Sequence, residues 1–197
     1  MNRRFVPAKP RSNKDLESLS LNLVKHYQPG VINQKQRFDT EEFFDVDLEK
    51  LTGVATDYQH LESGIYGYTD TDEMVCAISK ELADDPSSEY FFRSTTAHEI
   101  AHAVLHVSDY RLRRAILRSV NKKGHDSLRL FHESEIPLYR NPEWQAWRFA
   151  GALLMPAQAF LSAVKSGESL RDLSQHFGVN ASFVMTRARS LKINVKN

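Results

Sequence analysis

The stretch TTAHEIAHAVLH, residues 95–106, contains three histidines spaced four residues apart and one glutamate in an otherwise uncharged run. Residues four apart lie on the same face of an α-helix, so His98 and His102 can share one metal ion. Glu99 lies one step round the helix and can reach a water bound to that ion. The stretch therefore predicts an HExxH helix, in which two imidazoles hold zinc and the glutamate takes a proton from water.

The residues around these histidines indicate that the helix is buried. The flanking and intervening positions are uncharged, whereas a solvent-exposed helix normally carries charges on its outer face. An unpaired carboxylate is costly to bury, so Glu99 in such a helix favours a metal site over simple packing. Zinc lowers the pKa of its bound water to roughly 7. We expect one Zn²⁺ here, with Mn²⁺ as an alternative occupant.

A catalytic zinc site needs a third protein ligand and one open position. The longer three-histidine pattern of some zinc proteases would place that ligand six residues after His102, where this chain has Ser108. His106 lies on the same helix face as His102, but one straight helix cannot wrap three residues spread over two turns around one ion. We therefore expect His106 to orient a ligand or to pack nearby, and the third ligand to come from another element.

Glu143 is the main candidate for this third ligand. It lies in the first turn of a helix that Asn141 can cap and Pro142 can begin. A glutamate there could instead only stabilise the positive end of that helix. The competing candidates are imidazole or acidic side chains in the preceding segment: His125, His132, Glu133 and Glu135.

The remaining pattern predicts an α+β fold. Segments rich in aromatic and β-branched residues are typical of strands. They indicate a small three-stranded antiparallel sheet packed on the HExxH helix and on further helices. The strand segments are 54–60, 64–69 and 74–79. Ser94 or Thr95 can cap the HExxH helix.

The segment SLRDLSQHFGVNASFVMTRARSLKI, residues 169–193, is typical of a helix-turn-helix. Gly178 makes the turn between its two short helices. Such a unit could read DNA through its second helix, or it could only pack on the rest of the protein. The side chains that the second helix offers to DNA are Thr186, Arg187 and Arg189.

The composition predicts a cytoplasmic, soluble protein. The 197 residues carry a formal net charge of +1, which argues for neither a nucleic-acid nor a membrane binder. The single cysteine, Cys76, allows no intrachain disulfide, and no apolar run approaches the ~20 residues that span a bilayer. We expect a flexible tail over 1–13, a main domain over 14–165 and helix-turn-helix-like helices over 166–197. The oligomeric state does not follow from the sequence.

Two motifs resemble the ImmA/IrrE family of zinc metallo-endopeptidases. The family pattern is roughly R-F-T-x-A-H-E-x-x-H-x-x-x-H, followed tens of residues later by E-x-x-A-N-x-F-A-x-x-L-L-M-P. This chain has RSTTAHEIAHAVLH and EWQAWRFAGALLMP, and the resemblance covers about residues 54–195. It implies a minimal zincin-like peptidase core with Glu99 as the general base. It also implies three zinc ligands: His98, His102 and Glu143.

The resemblance further implies a substrate. Members of this family are bacterial or phage-related cytosolic proteases that typically cleave a helix-turn-helix repressor, often encoded beside them, and so relieve repression. The expected partner is therefore a folded transcription factor, which could add as a strand beside residues 74–79. The side chains that could stabilise the oxyanion are Tyr66, Tyr68, Tyr110, Tyr139 and His132.

One position departs from the family pattern. The family usually has Asn or Asp where this chain has Trp147, four residues after Glu143 and on the same helix face. A polar side chain there could orient a ligand histidine, and losing such a bond in other metal sites costs roughly 10–100-fold in affinity or activity. Trp147 therefore predicts a weaker site unless another group supplies the bond.

Two other functions are compatible with the sequence. The protein could be a DNA-binding regulator whose metal site is structural or inactive. It could also be a zinc-dependent module that binds a repressor without cutting it.

Overall fold

A computed structural model describes residues 3–33, 36–120 and 128–195 as a mixed α+β structure dominated by helices. The strands are β1 (Arg4–Phe5), β2 (Ala55–Gln59), β3 (Gly67–Asp70), β4 (Val75–Ser79) and β5 (Phe131–His132). The α-helices are α1 (Asn13–Tyr27), α2 (Gly30–Asn33), α3 (Thr40–Glu42), α4 (Leu48–Thr52), α5 (Lys80–Ala83), α6 (Glu89–His102), α7 (Ser108–Val120), α8 (Pro142–Leu154), α9 (Ala157–Lys165), α10 (Leu170–Phe177) and α11 (Ala181–Leu191).

The small sheet has the strand order β2-β4-β3, with β4 in the centre. β3 and β4 form the antiparallel hairpin that the sequence predicts, with Gly67 opposite Ile78. The prediction of a wholly antiparallel sheet is wrong, because β2 pairs parallel to β4, with Ala55 opposite Val75. After β2 the chain crosses to the far edge of the sheet, where it forms β3. It then returns through the hairpin as the central strand β4. This crossover leaves β2 and β3, rather than β4, at the edges of the sheet.

Helix α6 carries the HExxH residues and is buried on nearly every side. It begins at Glu89, well before the expected cap at Ser94 or Thr95. The hydroxyl groups of Ser94 and Thr96 donate to backbone carbonyls one turn earlier, those of Tyr90 and Phe92. These polar residues therefore lie inside the helix, where their hydrogen bonds are satisfied within the same element.

Helix α6 continues beyond His102 without a break. A π-helical segment, Ala103–Val107, connects it to α7. Such segments widen one turn of a helix and are frequent at functional sites. Here the widened turn contains His106, which is buried.

Helix α8 begins as its sequence predicts. The Asn141 side chain accepts a hydrogen bond from the backbone N–H of Trp144 at 3.0 Å, and Pro142 takes the first helical position. The helix then packs against both α1 and α6 in the main hydrophobic core. The first turn of α8, which includes Glu143, thereby lies beside the HExxH residues.

The N-terminal segment is bound to the domain, which differs from the loose tail that the sequence predicts. β1 pairs antiparallel with β5. Farther along, the backbone N–H of Ala8 donates to the carbonyl of Arg140 at 2.8 Å, and Ala8 is fully buried. A buried methyl group and paired backbone groups fix this stretch, because an unpaired buried N–H would be costly.

The C-terminal helices α10 and α11 pack on each other and on the helical core. Gly178 joins them in a left-handed backbone conformation with φ 62°. Arg187 on α11 is buried: its Nε donates to the carbonyl of Met155 at 2.9 Å, and its guanidinium forms a two-pronged ion pair with Glu17 on α1. Arg187 is therefore engaged inside the protein, while Thr186 and Arg189 remain at least partly exposed.

No helix within the described residues is long and apolar enough to cross a bilayer.

The Arg187–Glu17 pair predicts a stability difference between two neighbouring arginines. Replacing buried Arg187 leaves Glu17 and the Met155 carbonyl without their partner, so Arg187→Met should lower the free energy of unfolding by about 2 kcal/mol. Exposed Arg189→Met is the matched control and should cost less than about 0.5 kcal/mol. Urea unfolding followed by circular dichroism measures both. Equal losses in the two variants would contradict the role of the buried pair.

Candidate metal centre

Three side chains from two helices converge on one point. His98 and His102 lie one turn apart on α6, and their Nε2 atoms are 3.1 Å apart. Glu143 on α8 reaches both: its Oε2 is 3.4 Å from Nε2 of His98, and its Oε1 is 3.3 Å from Nε2 of His102. Among the described residues these three form a group able to hold a metal ion.

The spacing of these donor atoms fits a tetrahedral ion. Zinc binds imidazole nitrogen and carboxylate oxygen at roughly 2.0–2.2 Å, so two ligand atoms at a tetrahedral centre are about 3.3 Å apart. The two imidazole Nε2 atoms are 3.1 Å apart, and each lies 3.3 or 3.4 Å from a different oxygen of the Glu143 carboxylate, which is close to that value. The Glu143 side chain is 26% exposed to solvent, so one side of the group is accessible. Two imidazoles and one carboxylate are also a donor set that zinc accepts.

The electrostatics of the group also suit a cation. Burial alone would raise the pKa of Glu143, but the hydrogen bonds and charges of His102 and His98 outweigh it and hold that pKa well below its ordinary value. Burial alone would lower the pKa of His102, but Glu143 and Glu99 reverse the direction and raise it. Both shifts come from the attraction between the Glu143 carboxylate and the imidazoles beside it. A bound cation would be attracted to the same carboxylate.

Glu99 lies beside this group and points towards the sheet. It is buried, and its Oε2 accepts a hydrogen bond of 2.8 Å from the hydroxyl of Thr69 on β3. Gly67, on the same strand, allows this close approach, because a Cβ atom there would lie 2.9 Å from Cγ of Glu99. The edge strand β3 and helix α6 thus together fix the position of the Glu99 carboxylate.

His106 lies behind the metal group and contacts one of its members. Nδ1 of His106 is 3.1 Å from Nδ1 of His102, so it does not reach the point where the three donor atoms converge. Its other ring nitrogen lies 3.2 Å from Oε1 of Gln145 on α8. Burial, together with the neighbouring His102, holds the pKa of His106 well below its usual value, which keeps this ring neutral.

Trp147 lies against the other histidine. Its ring centre is 4.2 Å from that of His98, with the planes tilted by 36°. The indole also makes an edge contact with Phe183 on α11. Among the described residues, no group hydrogen-bonds to the buried Nδ1 of His98. Trp147 therefore contacts the same histidine, His98, whose Nδ1 lacks a hydrogen-bond partner. A polar side chain at position 147 could have supplied that partner and oriented the ring.

The competing ligand candidates are engaged elsewhere or fall outside the described residues. Oε1 of Glu133 accepts from the Asn141 amide at 3.3 Å, and Oε2 of Glu135 accepts from the backbone N–H of His132 at 2.9 Å. The His132 ring lies 3.2 Å from the guanidinium of Arg4. His125 lies outside the described residues.

A cavity of about 260 Å³ opens beside His102 and Glu143. Of the five oxyanion candidates, Tyr110 contributes to its wall, together with Thr69 and Arg114. The Tyr110 hydroxyl donates to the carbonyl of Val6 at 2.8 Å. Tyr139 is half exposed, and its backbone carbonyl accepts from the Gln145 amide. The residue that stabilises an oxyanion therefore stays a prediction.

Sequence reasoning missed three residues that support the site: Thr69, Gly67 and Gln145. Each acts through a tertiary contact, so no local motif identifies it. Gln145 lies in the first turns of α8, and the structure shows this polar residue to be fully buried. A buried polar side chain requires hydrogen-bonding partners, and one partner here is His106, one turn beyond the HExxH motif.

The sequence also matches a known protein family. Residues 82–189 match the family model Peptidase_M78, the IrrE N-terminal-like domain. The chain belongs to this family. The matched range includes all three candidate ligands and Glu99, and a peptidase family with a three-residue metal site is consistent with a metallopeptidase.

Similarity to solved structures supports the fold alone. A Mycobacterium tuberculosis transcriptional regulator superposes on 91% of this IrrE-like chain with a TM-score of 0.59 and 18% sequence identity. The matched part is 47% of that regulator, so this chain spans about half of its length. No curated protein matches the sequence.

The unsatisfied Nδ1 of His98 leads to a prediction about metal affinity. Trp147→Asn should tighten zinc binding by about 10-fold, because the amide oxygen can accept the His98 Nδ1–H and orient the ring. Trp147→Leu is the control, since it removes the indole without adding an acceptor, and it should not gain affinity. Competition with a chromophoric chelator measures both dissociation constants. Equal affinities in the two variants would contradict the argument.

Proposed function

We propose that this protein is a zinc-dependent endopeptidase that cleaves a helix-turn-helix transcriptional repressor at a specific site and so relieves repression. The observation that carries the proposal is the group of His98, His102 and Glu143, in which each imidazole Nε2 lies within 3.4 Å of a Glu143 oxygen and the Glu99 carboxylate acts on His102. In this proposal His98, His102 and Glu143 are the ligands, and Glu99 is the general base. Mn²⁺ is the alternative metal.

In peptide hydrolysis the bound metal and Glu99 would have separate roles. When bound, zinc supplies Lewis acidity and makes a water easier to deprotonate. Glu99 takes the proton from the attacking water as its oxygen bonds to the scissile carbonyl carbon. It then gives that proton to the amine nitrogen as the C–N bond breaks. The Thr69 hydroxyl donates to Oε2 of Glu99 and so holds the carboxylate in one orientation, with acceptor capacity left for proton transfer.

The sheet offers an edge on which an extended substrate can bind. The sequence placed the substrate beside residues 74–79, but β4 is central and both of its sides are paired. The edge strand next to Glu99 is β3. We therefore place the substrate strand along β3, where backbone hydrogen bonds would hold it and Glu99 would face the scissile bond.

A protein substrate fits the family and the structural likeness better than free peptides do. The chain belongs to a peptidase family, and the similar solved structure is named a transcriptional regulator. Direct DNA binding by α11 has less support, because Arg187 is buried against Glu17 and Met155. Thr186 and Arg189 are what that helix still offers to a phosphate backbone.

The repressor encoded nearest to this protein gives the direct test. Zinc-loaded protein mixed with that repressor should yield two fragments whose masses define one cut site, and a chelator should abolish them. Glu99→Gln should bind zinc as tightly as wild type but cleave about 10³-fold more slowly, because general-base catalysis is lost. Glu143→Ala should lose zinc as well as activity.

Each alternative function predicts a different result in the same experiment. Cleavage by Glu99→Gln at the wild-type rate would eliminate the proposed mechanism. A stable complex with intact repressor would support a binding module instead. A DNA mobility shift that persists in chelator would support a DNA-binding regulator.

Gly67 provides a second test, which separates catalysis from metal binding. In Gly67→Ala the new methyl carbon would lie 2.9 Å from Cγ of Glu99 and 3.2 Å from the carbonyl oxygen of Ala77. Glu99 must then shift, and the cleavage rate should fall by about 10²-fold while zinc content stays at the wild-type value. Gly151→Ala is the matched control, because its Cβ would meet nothing closer than 3.7 Å. An unchanged rate in Gly67→Ala would contradict the placement of the base.

A further inference from the structure

A row of hydrogen-bonded side chains leads away from His102 into the protein. Nδ1 of His102 lies 3.1 Å from Nδ1 of His106. Nε2 of His106 lies 3.2 Å from Oε1 of Gln145, and the same oxygen accepts from the Arg11 guanidinium at 3.2 Å. His106 and Gln145 have 1% and 0% exposure, so water does not compete for these bonds.

The amide of Gln145 has only one orientation that satisfies its neighbours. Its Nε2 lies 2.9 Å from the carbonyl oxygen of Lys9 and 2.7 Å from that of Tyr139. A carbonyl oxygen can only accept, so both must receive the two amide hydrogens of Gln145. Oε1 is then the atom that faces His106 and Arg11. Because Oε1 can only accept, Nε2 of His106 must carry a hydrogen.

This orientation fixes the protons on the two histidines. The two Nδ1 atoms are within hydrogen-bonding distance, so one of them donates and the other accepts. A metal at Nε2 of His102 requires a lone pair there, and the hydrogen of that neutral ring is then on Nδ1. His102 therefore donates to His106, which donates in turn to Gln145. This arrangement satisfies every atom in the row and leaves Nε2 of His102 free.

We propose that Gln145 is a positioning residue that, through His106, holds His102 in the Nδ1–H tautomer and aims its Nε2 at the metal. The proposal rests on the metal site of the proposed function and adds to it the residues that prepare one ligand. Arg11 strengthens the row: its second nitrogen donates to the carbonyl of Leu105 at 2.8 Å, at the π-helical segment that holds His106.

The two ligand histidines are prepared by different means. His102 has a hydrogen-bonded partner behind its ring, whereas Nδ1 of His98 has none among the described residues and the ring lies against Trp147. The support for His102 also comes from far away in the sequence, because Lys9 and Arg11 belong to the docked N-terminal segment. That segment is therefore part of the metal site, although it holds no ligand.

The test uses the full chain and two readouts that do not depend on activity. Nitrogen-15 NMR of the metal-free protein, at a pH above the pKa of His102 where that ring is neutral, reports which ring nitrogen carries hydrogen, and chelator competition reports the dissociation constant for zinc. Gln145→Met keeps the side-chain length but removes the amide. It should let His102 populate both tautomers and weaken zinc binding by about 10–100-fold.

Two further variants keep the test decisive. His106→Phe keeps a ring of similar size without nitrogen and should weaken zinc binding as much as Gln145→Met does. Arg93→Met is a stability control, because it removes a buried side chain that bonds to the Gly178 carbonyl, and it should leave the tautomer unchanged.

The outcomes separate this proposal from the proposed function. If Gln145→Met and His106→Phe fold, bind zinc like wild type and show the wild-type tautomer, the positioning role is wrong while the metal site stands. If wild type binds zinc no better than Glu143→Ala, the metal site itself is wrong and the positioning role fails with it.

Discussion

The contact between α6 and α8 is the constraint on which the site depends. The HExxH turn supplies two donor atoms, and only the first turn of α8 brings the third, Glu143, to within 3.4 Å of them. Both helices carry small buried residues, Ala97 and Ala101 on α6 and Ala146 and Ala150 on α8. Small side chains reduce the distance at which two helices pack. Because a glutamate side chain has a limited reach, a wider spacing between the two helices would move the Glu143 carboxylate away from the imidazoles.

This arrangement places charge where burial is costly. Glu99 is buried and Glu143 is partly buried, and burying an ionised carboxylate without partners would oppose folding. The burial of apolar residues around the helices, among them Phe149 and Ile100, offsets that cost. Paired hydrogen bonds lower it further, from Thr69 for Glu99 and from the two histidines for Glu143. The site is therefore stabilised mainly by residues that take no part in metal binding.

The sequence was informative wherever the determinant was local. The cap at Asn141, the proline start of α8 and the shared face of His98 and His102 all follow from spacing within one turn. The start of α6 was placed too late because Ser94 bonds back to its own helix, which spacing alone does not reveal. The direction of β2 relative to β4 was also wrong, since parallel pairing depends on a crossover rather than on any residue within the strands.

In the candidate site, too, the features set by local spacing could be predicted from the sequence, and those set by tertiary contacts could not. Spacing predicted the pair on α6 and excluded His106 from the ligand group, but several partners could have completed it. Its place in the first turn of a capped helix made Glu143 the main candidate, and the resemblance to a family motif strengthened that choice. The role of Gln145 could not be predicted, because it depends on carbonyl groups of Lys9 and Tyr139 that the fold brings together from distant parts of the chain.

Trp147 links the metal group to the C-terminal helices. Its indole contacts both His98 and Phe183 of α11, and Arg187 of α11 bonds to the carbonyl of Met155 at the end of α8. An Asn or Asp at position 147 would contact a histidine but would be too short to reach α11 as well. Trp147 therefore packs between His98 and α11 at a position where a polar side chain could hydrogen-bond to the histidine. In the proposed metal site this residue would act in two opposed ways, because it leaves Nδ1 of His98 without an acceptor while its indole joins α8, which carries Glu143, to α11.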